Sequence, residues 1–408
     1  MEKLKQHLKS FKNSPWIFTT YFAEGFPFQV AGDLANTFFV ASGMSLQSFG
    51  LTSIYNFAWS LKFLWAPVVD IFKTRRFWIL LMEALLSIIC ILLAIGTFAM
   101  APMYYPVVLF GIMAVTSATH DIAIDGFYLE QLEETEQRFY SGFRVMAYRI
   151  AMLFVSAALV GIAGVWGWKL SFAVTALIML SIFIFHLFAL PVSKTDHTHS
   201  VNKSVVTNFG QAFLSYLKQD KIVLILAFII LYKVGDNMML KMAKPFLMRE
   251  LGITVAQIAI ISGVVGKICA IVGAIVGGIF IAKIGLKKGL WILTFVQSLA
   301  VVAYIMLAVF KPGVYWVAVV HGLEMTATSL SSVALINYLM FTCKKDFRAS
   351  HYAIASGLIT LGGSVASMLS GYIAASVGYI NFFTLSFIAC FPGMILMFFL
   401  PFTKKEPS

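Results

Sequence analysis

Charge is scarce in this chain. Only 12% of its 408 residues are Asp, Glu, Lys or Arg, while 60% are hydrophobic and the mean hydropathy is +0.88. A soluble domain carries about twice that share of charge. Polar sequence is scarce too: Val192 to Asp220 is the only substantial polar stretch, which leaves no room for a separate aqueous enzyme domain. Cysteine is sparse as well. Cys90, Cys269, Cys343 and Cys390 lie far apart, a spacing that supports neither a disulfide framework nor a zinc site. The sequence offers no nucleophile–base pair and no metal-ligand cluster, so an enzyme, a cofactor and a bound metal are not expected. A cleaved leader is not expected either, because the apolar run after Pro15 is too long and too mixed for one.

What the chain does have is apolar length. A bilayer core takes about 20 apolar residues per helix, and twelve such stretches follow one another. Six are expected at Trp16–Val40, Gln47–Phe72, Phe77–Ala99, Tyr105–Phe127, Ser141–Val165 and Lys169–Pro191. Six more are expected at Lys221–Phe246, Thr254–Ala282, Gly289–Phe310, Tyr315–Phe341, His351–Val377 and Tyr379–Phe402. The expected organisation is an N-terminal six-helix bundle over 1–192, a cytoplasmic linker over 193–220 and a C-terminal six-helix bundle over 221–408. The linker holds His197 and His199, read as loop residues. It ends in an amphipathic piece with Val205, Phe209 and Phe213 on one face, suited to lying on a membrane surface.

The net charge of +12 follows from topology. Twenty Lys and Arg fall in the tails and joins of one side, including Lys3, Lys73, Arg75, Arg76, Lys287 and Lys344. Five fall in or beside joins of the other side: Lys169, Lys241, Lys244, Arg249 and Lys311. Basic residues accumulate on the cytoplasmic side of membrane proteins, so both termini are expected in the cytoplasm. The basic balance reports orientation, and no nucleic-acid partner is expected.

Ionisable residues inside spans are costly and face a cavity or a partner. Spans one, four, seven and ten hold Glu24 and Asp33; His120, Asp121 and Asp125; Lys233 and Asp236; and His321 and Glu324. Spans two, five and eight hold Lys62, Arg144, Arg149 and Lys267. Span three has only Glu83 and span six only His186, while spans nine and twelve have none in their interiors. Asp121 and Asp125 are four apart, share a helix face, and are expected to pair with Arg144 and Arg149, joined by Asp70 with Arg75 or Arg76. These residues read as a gating group. His120 reads as packed or hydrogen-bonded. Lys233 and Asp236, three apart, read as a local pair that Glu324 can contest. Lys62 lies eight residues before Asp70, about 12 Å along a helix, and is expected to face protein or cavity.

Two joins echo each other. WAPVVDIFKTRR follows span two and GGIFIAKIGLKKG follows span eight. Both resemble degenerate copies of the G-x-x-x-D-x-x-G motif with two following basic residues that the major facilitator superfamily carries at these places. The fold class expected is therefore all-α integral membrane, the major facilitator superfamily fold. In that fold the first, fourth, seventh and tenth helices line the central cavity and the third, sixth, ninth and twelfth sit outside, a division that the buried charges follow.

Longer stretches carry a closer resemblance. They are YFAEGFPF from Tyr21, SFGLTSIYNFAWSLKFLWAPVVD ending at Asp70, and SATHDIAIDGFYLEQL from Ser117. GFRVMAYRIAML from Gly142, LYKVGDNMMLKMAKPFLMRELG from Leu231 and HGLEM from His321 continue it. In this order the chain resembles the AmpG-like muropeptide permease family of the major facilitator superfamily. It departs from the family at Glu24, at His120 and at Met325 to Ala327, positions that bear on the substrate.

The resemblance implies proton-driven import of N-acetylglucosamine-1,6-anhydro-N-acetylmuramic acid, with or without its peptide, across the inner membrane. Lys62, Arg149, Lys233 or Lys267 would then meet the carboxylates of the solute. Tyr21, Tyr55, Trp59 or Tyr232 would stack on its sugars. A coupling acid must exist charged or neutral at working pH, and burial and a neighbouring lysine act on it in opposite senses. Glu324 ranks first for that role, then Asp236, then Glu24. The expected partners are a small-molecule substrate, protons and lipid, with the chain acting as a monomer. A siderophore or other bulky organic-anion permease is the alternative within transport, and a non-transporting membrane sensor the alternative outside it.

Overall fold

The computed structural model describes residues 15–192, 213–344 and 348–402. His197, His199, Val205 and Phe209 lie outside the described residues. Nine helices among the described residues are long and apolar enough to cross a membrane. Eight are single spans: three, Arg75–Phe98; four, Tyr104–Gln131; five, Glu134–Trp166; six, Trp168–Ala189; seven, Ile222–Glu250; eight, Val255–Ile284; nine, Leu286–Phe310; ten, Val314–Thr342. The ninth, Ser350–Leu396, holds spans eleven and twelve, because Gly378 at φ 74° and ψ 167° breaks it. Spans one (15–41) and two (46–71) complete the twelve. Each is interrupted by turns that are not α-helical: Val30–Leu34 in span one, Thr52–Tyr55 and Lys62–Leu64 in span two.

The ends of the spans have local causes. Thr74 caps span three by accepting from the Phe77 amide at 3.2 Å. Glu133 and Glu136 form a reciprocal capping box at the start of span five. The joins reveal a repeat that the residues hide. The residues with positive φ are Gly43, Lys73, Met100 and Gly167 in the first half, and Gly252, Gly285, Lys311 and Gly378 in the second. In chain order they occupy the same four joins of a six-helix unit: after its first, second, third and fifth helices. Lys221, between the halves, is the one described positive-φ residue without a counterpart. The left-handed conformation is strained for residues other than glycine, so its recurrence at matching corners marks one backbone design used twice.

By packing, the described residues form two compact units. The first contains 15–39, 61–192 and 255–259; the second contains 40–60, 213–254, 260–344 and 348–402. This grouping departs from chain order in two places. The N-terminal half of span two packs with span eleven, where a Cβ on Gly50 would lie 2.8 Å from the Met368 carbonyl. The first turn of span eight packs with the end of span five, where a Cβ on Gly164 would press on the Ala256 backbone. Without water, helices in a bilayer gain little from the hydrophobic effect and associate through close backbone approach at small residues.

Each unit has its own core. Trp16, Tyr21, Ile79, Ile124, Phe127 and Tyr140 anchor the first; Phe228, Tyr232, Leu290, Leu293, Tyr338 and Met397 anchor the second.

Candidate functional site

Five charged side chains meet in the first unit. The ammonium of Lys62, held in the short 3-10 turn of span two, donates to the carboxylate of Asp121 on span four. One turn along, Asp125 accepts from the Tyr21 hydroxyl at 3.0 Å. Arg144 of span five donates to that hydroxyl at 3.1 Å and lies 3.5 Å from Asp125. Its guanidinium covers the rings of Tyr21 and Tyr128, 4.9 and 5.2 Å from their centroids. Glu24 stands beside Asp121 within hydrogen-bonding reach, and its Oε2 is buried with no hydrogen-bond partner among the described residues. Three carboxyl groups thus face two cations. If all five are ionised the group carries one excess negative charge, which a single proton cancels. Arg144 also lines an open cavity of about 510 Å³ with Tyr128, Glu134, Gln137 and Arg138.

A second group lies deeper in the same unit. Glu83, His120 and His186, from spans three, four and six, are all fully buried. Glu83 Oε1 bonds His186 Nδ1 at 2.6 Å and His120 Nε2 at 3.3 Å, and His186 Nε2 meets Thr19 Oγ1 at 2.9 Å. Spans three and six were read as lying outside the functional group, each with a lone ionisable residue. Those two lone residues are each other's partner, which lowers the cost of burying either alone, while Glu83 Oε2 keeps no hydrogen-bond partner among the described residues.

The second unit holds a denser network. Lys233 Nζ lies 3.1 Å from Asp236 Oδ2 and also donates to Gln297 Oε1 at 3.2 Å and to the Thr328 carbonyl at 3.3 Å. Gln297 Nε2 donates to Asp236 Oδ1 and, at 3.0 Å, to Thr328 Oγ1. Thr328 Oγ1 lies 3.1 Å from Asp236 Oδ1 and 2.6 Å from Glu324 Oε1. Glu324 is fully buried, and its Oε2 has no partner among the described residues. Two carboxyl groups face one ammonium, so this group too lacks one positive charge when every member is ionised.

The basic residues expected beside outer joins are engaged as well. Lys241 Nζ donates to Thr52 Oγ1 at 2.8 Å and sits 4.1 Å from the Phe49 ring centroid. Arg249 donates to the carbonyls of Val40 and Met44 at 2.9 and 2.8 Å, and Lys311 pairs with Glu250.

Several expected roles are changed by this geometry. The partner of Asp121 is Lys62, and neither Arg144 nor Arg149 takes that place. Arg149 is exposed and forms no ion pair or hydrogen bond among the described residues. Arg75 bonds Asp70 at 3.1 Å, lies 3.5 Å from Glu130 and donates to the Gly126 carbonyl at 3.2 Å, whereas Arg76 turns to the Leu187 carbonyl at the end of span six. The rings of Tyr21 and Tyr232 are enclosed, the latter with its hydroxyl bonded to Thr294 and Ser331. In this conformation both are closed to a sugar. Lys62 and Lys233 are committed to acids. Lys267, Tyr55 and Trp59 remain partly exposed.

Two residues of the second network escaped the sequence reading: Gln297 and Thr328. Both are neutral, and the cost of burying an ionised group does not mark them. An amide in the otherwise apolar run of span nine was the available signal, since it too needs partners inside a bilayer.

Helical spans with buried charge clusters and a twice-used six-helix backbone define a class, and the comparisons agree with it. The Major Facilitator Superfamily profile matches residues 226–408. A bacterial homolog of the human lysosomal transporter Spinster, solved in an inward-facing, unoccupied conformation, superposes with a TM-score of 0.74 at 14% identity, covering 94% of each chain. The fold is the all-α integral-membrane fold of the major facilitator superfamily, and the chain is similar to multi-pass transporters of that fold. Among curated proteins, the chain is similar to AmpG transporters. It is 27% identical over 401 residues to a Rickettsia conorii protein named as transporter AmpG 4, covering 94% of this chain and 95% of that one. It is 26% identical over 392 residues to the anhydromuropeptide permease of Escherichia coli K12, covering 92% of this chain and 77% of that one.

Proposed function

We propose that the chain imports anhydro-muropeptides, or related amino-sugar peptides, across the bacterial inner membrane in symport with protons, with both termini in the cytoplasm. The observation that carries the proton half of this reading is Glu324. It is a fully buried carboxyl group bound to Thr328, with one oxygen unpartnered among the described residues, in a network with one cation too few. Such a group can take up a proton without leaving a buried charge uncompensated. A proton crossing 100 mV gains about 2.3 kcal/mol, enough for roughly fiftyfold accumulation of solute. The substrate half is supported by similarity over nearly the whole chain to a protein named an anhydromuropeptide permease. Arg149, the exposed arginine inside span five of the first unit, would meet its carboxylates. Asp70, Arg75, Asp121, Asp125 and Arg144 would hold the gate.

The test is uptake of labelled N-acetylglucosaminyl-1,6-anhydro-N-acetylmuramyl tripeptide into energised membrane vesicles. Accumulation abolished by a protonophore is expected. Transport of an iron-siderophore in place of the muropeptide would move the chain to the alternative substrate class, and absence of any solute flux would leave only a sensor.

A further inference from the structure

Hydrogen accounting at Thr328 yields one more residue role. A threonine hydroxyl has one hydrogen to give. Thr328 Oγ1 accepts from Gln297 Nε2, so its own hydrogen can go to Asp236 Oδ1 or to Glu324 Oε1, 3.1 and 2.6 Å away. The orientation of Gln297 is fixed by charge: its carbonyl oxygen meets the Lys233 ammonium and its amide nitrogen the Asp236 carboxylate. When Glu324 is ionised, the Thr328 hydrogen turns to it, and Asp236 keeps only Gln297 and Lys233. When Glu324 carries a proton, the carboxylic acid donates to Thr328 Oγ1. The Thr328 hydrogen then turns to Asp236, whose hold on Lys233 weakens as its charge is shared.

We propose that Thr328 is the positioning residue that relays the protonation of Glu324 to the Lys233–Asp236 pair. The proposal rests on the reading of the chain as a proton-driven transporter. Thr328 is also more exposed than Lys233, Asp236, Gln297 or Glu324, so the relay is the open face of an otherwise buried network. Other titratable groups of the surrounding spans are Tyr304, within electrostatic reach of Glu324, and Tyr232 and Cys390, both within reach of Asp236, with Cys390 also within reach of Lys233. Lys267 and Cys269 lie on span eight, which packs against span ten, and His321 bonds Tyr304 one turn before Glu324.

The experiment compares gradient-driven uptake with substrate counterflow, which needs no net proton movement, using the labelled anhydro-muropeptide as probe. Thr328→Val, equal in shape but without a hydrogen to relay, is expected to keep counterflow. It should lose gradient-driven accumulation at least tenfold and lose the pH dependence of uptake. Thr328→Ser should restore both. Gradient-driven uptake by Thr328→Val with the pH profile of the unsubstituted protein would overturn the relay. So would loss of counterflow in membrane-assembled Thr328→Val, since the relay touches coupling and not passage. If the valine variant fails to assemble, Thr328→Ala decides by the same two readings. A failure of the functional reading itself shows separately, as no proton-driven uptake in the unsubstituted protein.

Discussion

Lys62 gives its charge to Asp121 on the adjacent span and not to Asp70 on its own. The two partners stand on spans two and four, and the 3-10 turn at Lys62–Leu64 sets the direction of the lysine. The pair is partly buried, and removing one member leaves the other uncompensated, which costs more than removing both. Lys62→Met and Asp121→Asn are each expected to lower transport and the amount of assembled protein. The double variant should recover membrane level above either single one. Quantitative immunoblotting of membranes with parallel uptake checks this, and simple additivity of the two losses would count against the pair.

Glu324→Gln tests the coupling assignment. Glutamine keeps the shape and donates permanently to Thr328, imitating the protonated acid. Counterflow should persist while gradient-driven accumulation disappears. In the unsubstituted protein the proton is a co-substrate, so uptake should fall as external pH rises, and Glu324→Gln should flatten that profile. A variant with both activities and an unchanged profile would release Glu324 from the role.

The Glu83–His120–His186 group reads as a structural tie among spans three, four and six. Glu83→Leu strands two buried imidazoles, and a loss of about 3–5 kcal/mol is expected from breaking such a group. Thermal unfolding in detergent should show it as a marked drop in midpoint. Any surviving protein should transport with an unchanged KM for the muropeptide.

Arg149 is exposed, inside span five, without an ionic partner among the described residues. If it meets a carboxylate of the solute, Arg149→Gln should raise KM about tenfold, a loss of about 1.4 kcal/mol in binding, with kcat little changed. The effect should vanish for a probe whose carboxylates are amidated. An equal loss on both probes would assign Arg149 to the helix bundle.

Gly378 turns the chain between spans eleven and twelve at φ 74°. With ψ at 167° this backbone region is open essentially to glycine alone, and a side chain there costs about 1–3 kcal/mol. Gly378→Ala should lower the thermal midpoint by a few degrees, as should Gly167→Ala at the matching corner of the first half. Equal stability of both variants would show that the corners relax freely.

The class of protein is readable from the residues alone. Twelve apolar stretches, and the expense of each ionisable residue within them, are local properties that a bilayer reads one helix at a time. Hence Lys233–Asp236, three apart on one helix, was legible, and so were Glu324 and Glu24 as acids needing an explanation. Partners depend on how the helices pack. Asp121 has Arg144 near it in sequence and Lys62 near it in space, because helix packing, not chain distance, sets which faces meet. Glu83 and His186 looked solitary for the same reason. Gln297 and Thr328 were invisible to a search for charge, yet they connect Glu324 to Asp236, since a buried carboxylate takes neutral donors as readily as cations. The internal repeat was faint in the residues and plain in the backbone. Many different side chains satisfy lipid, but few φ and ψ values close a corner between two packed helices.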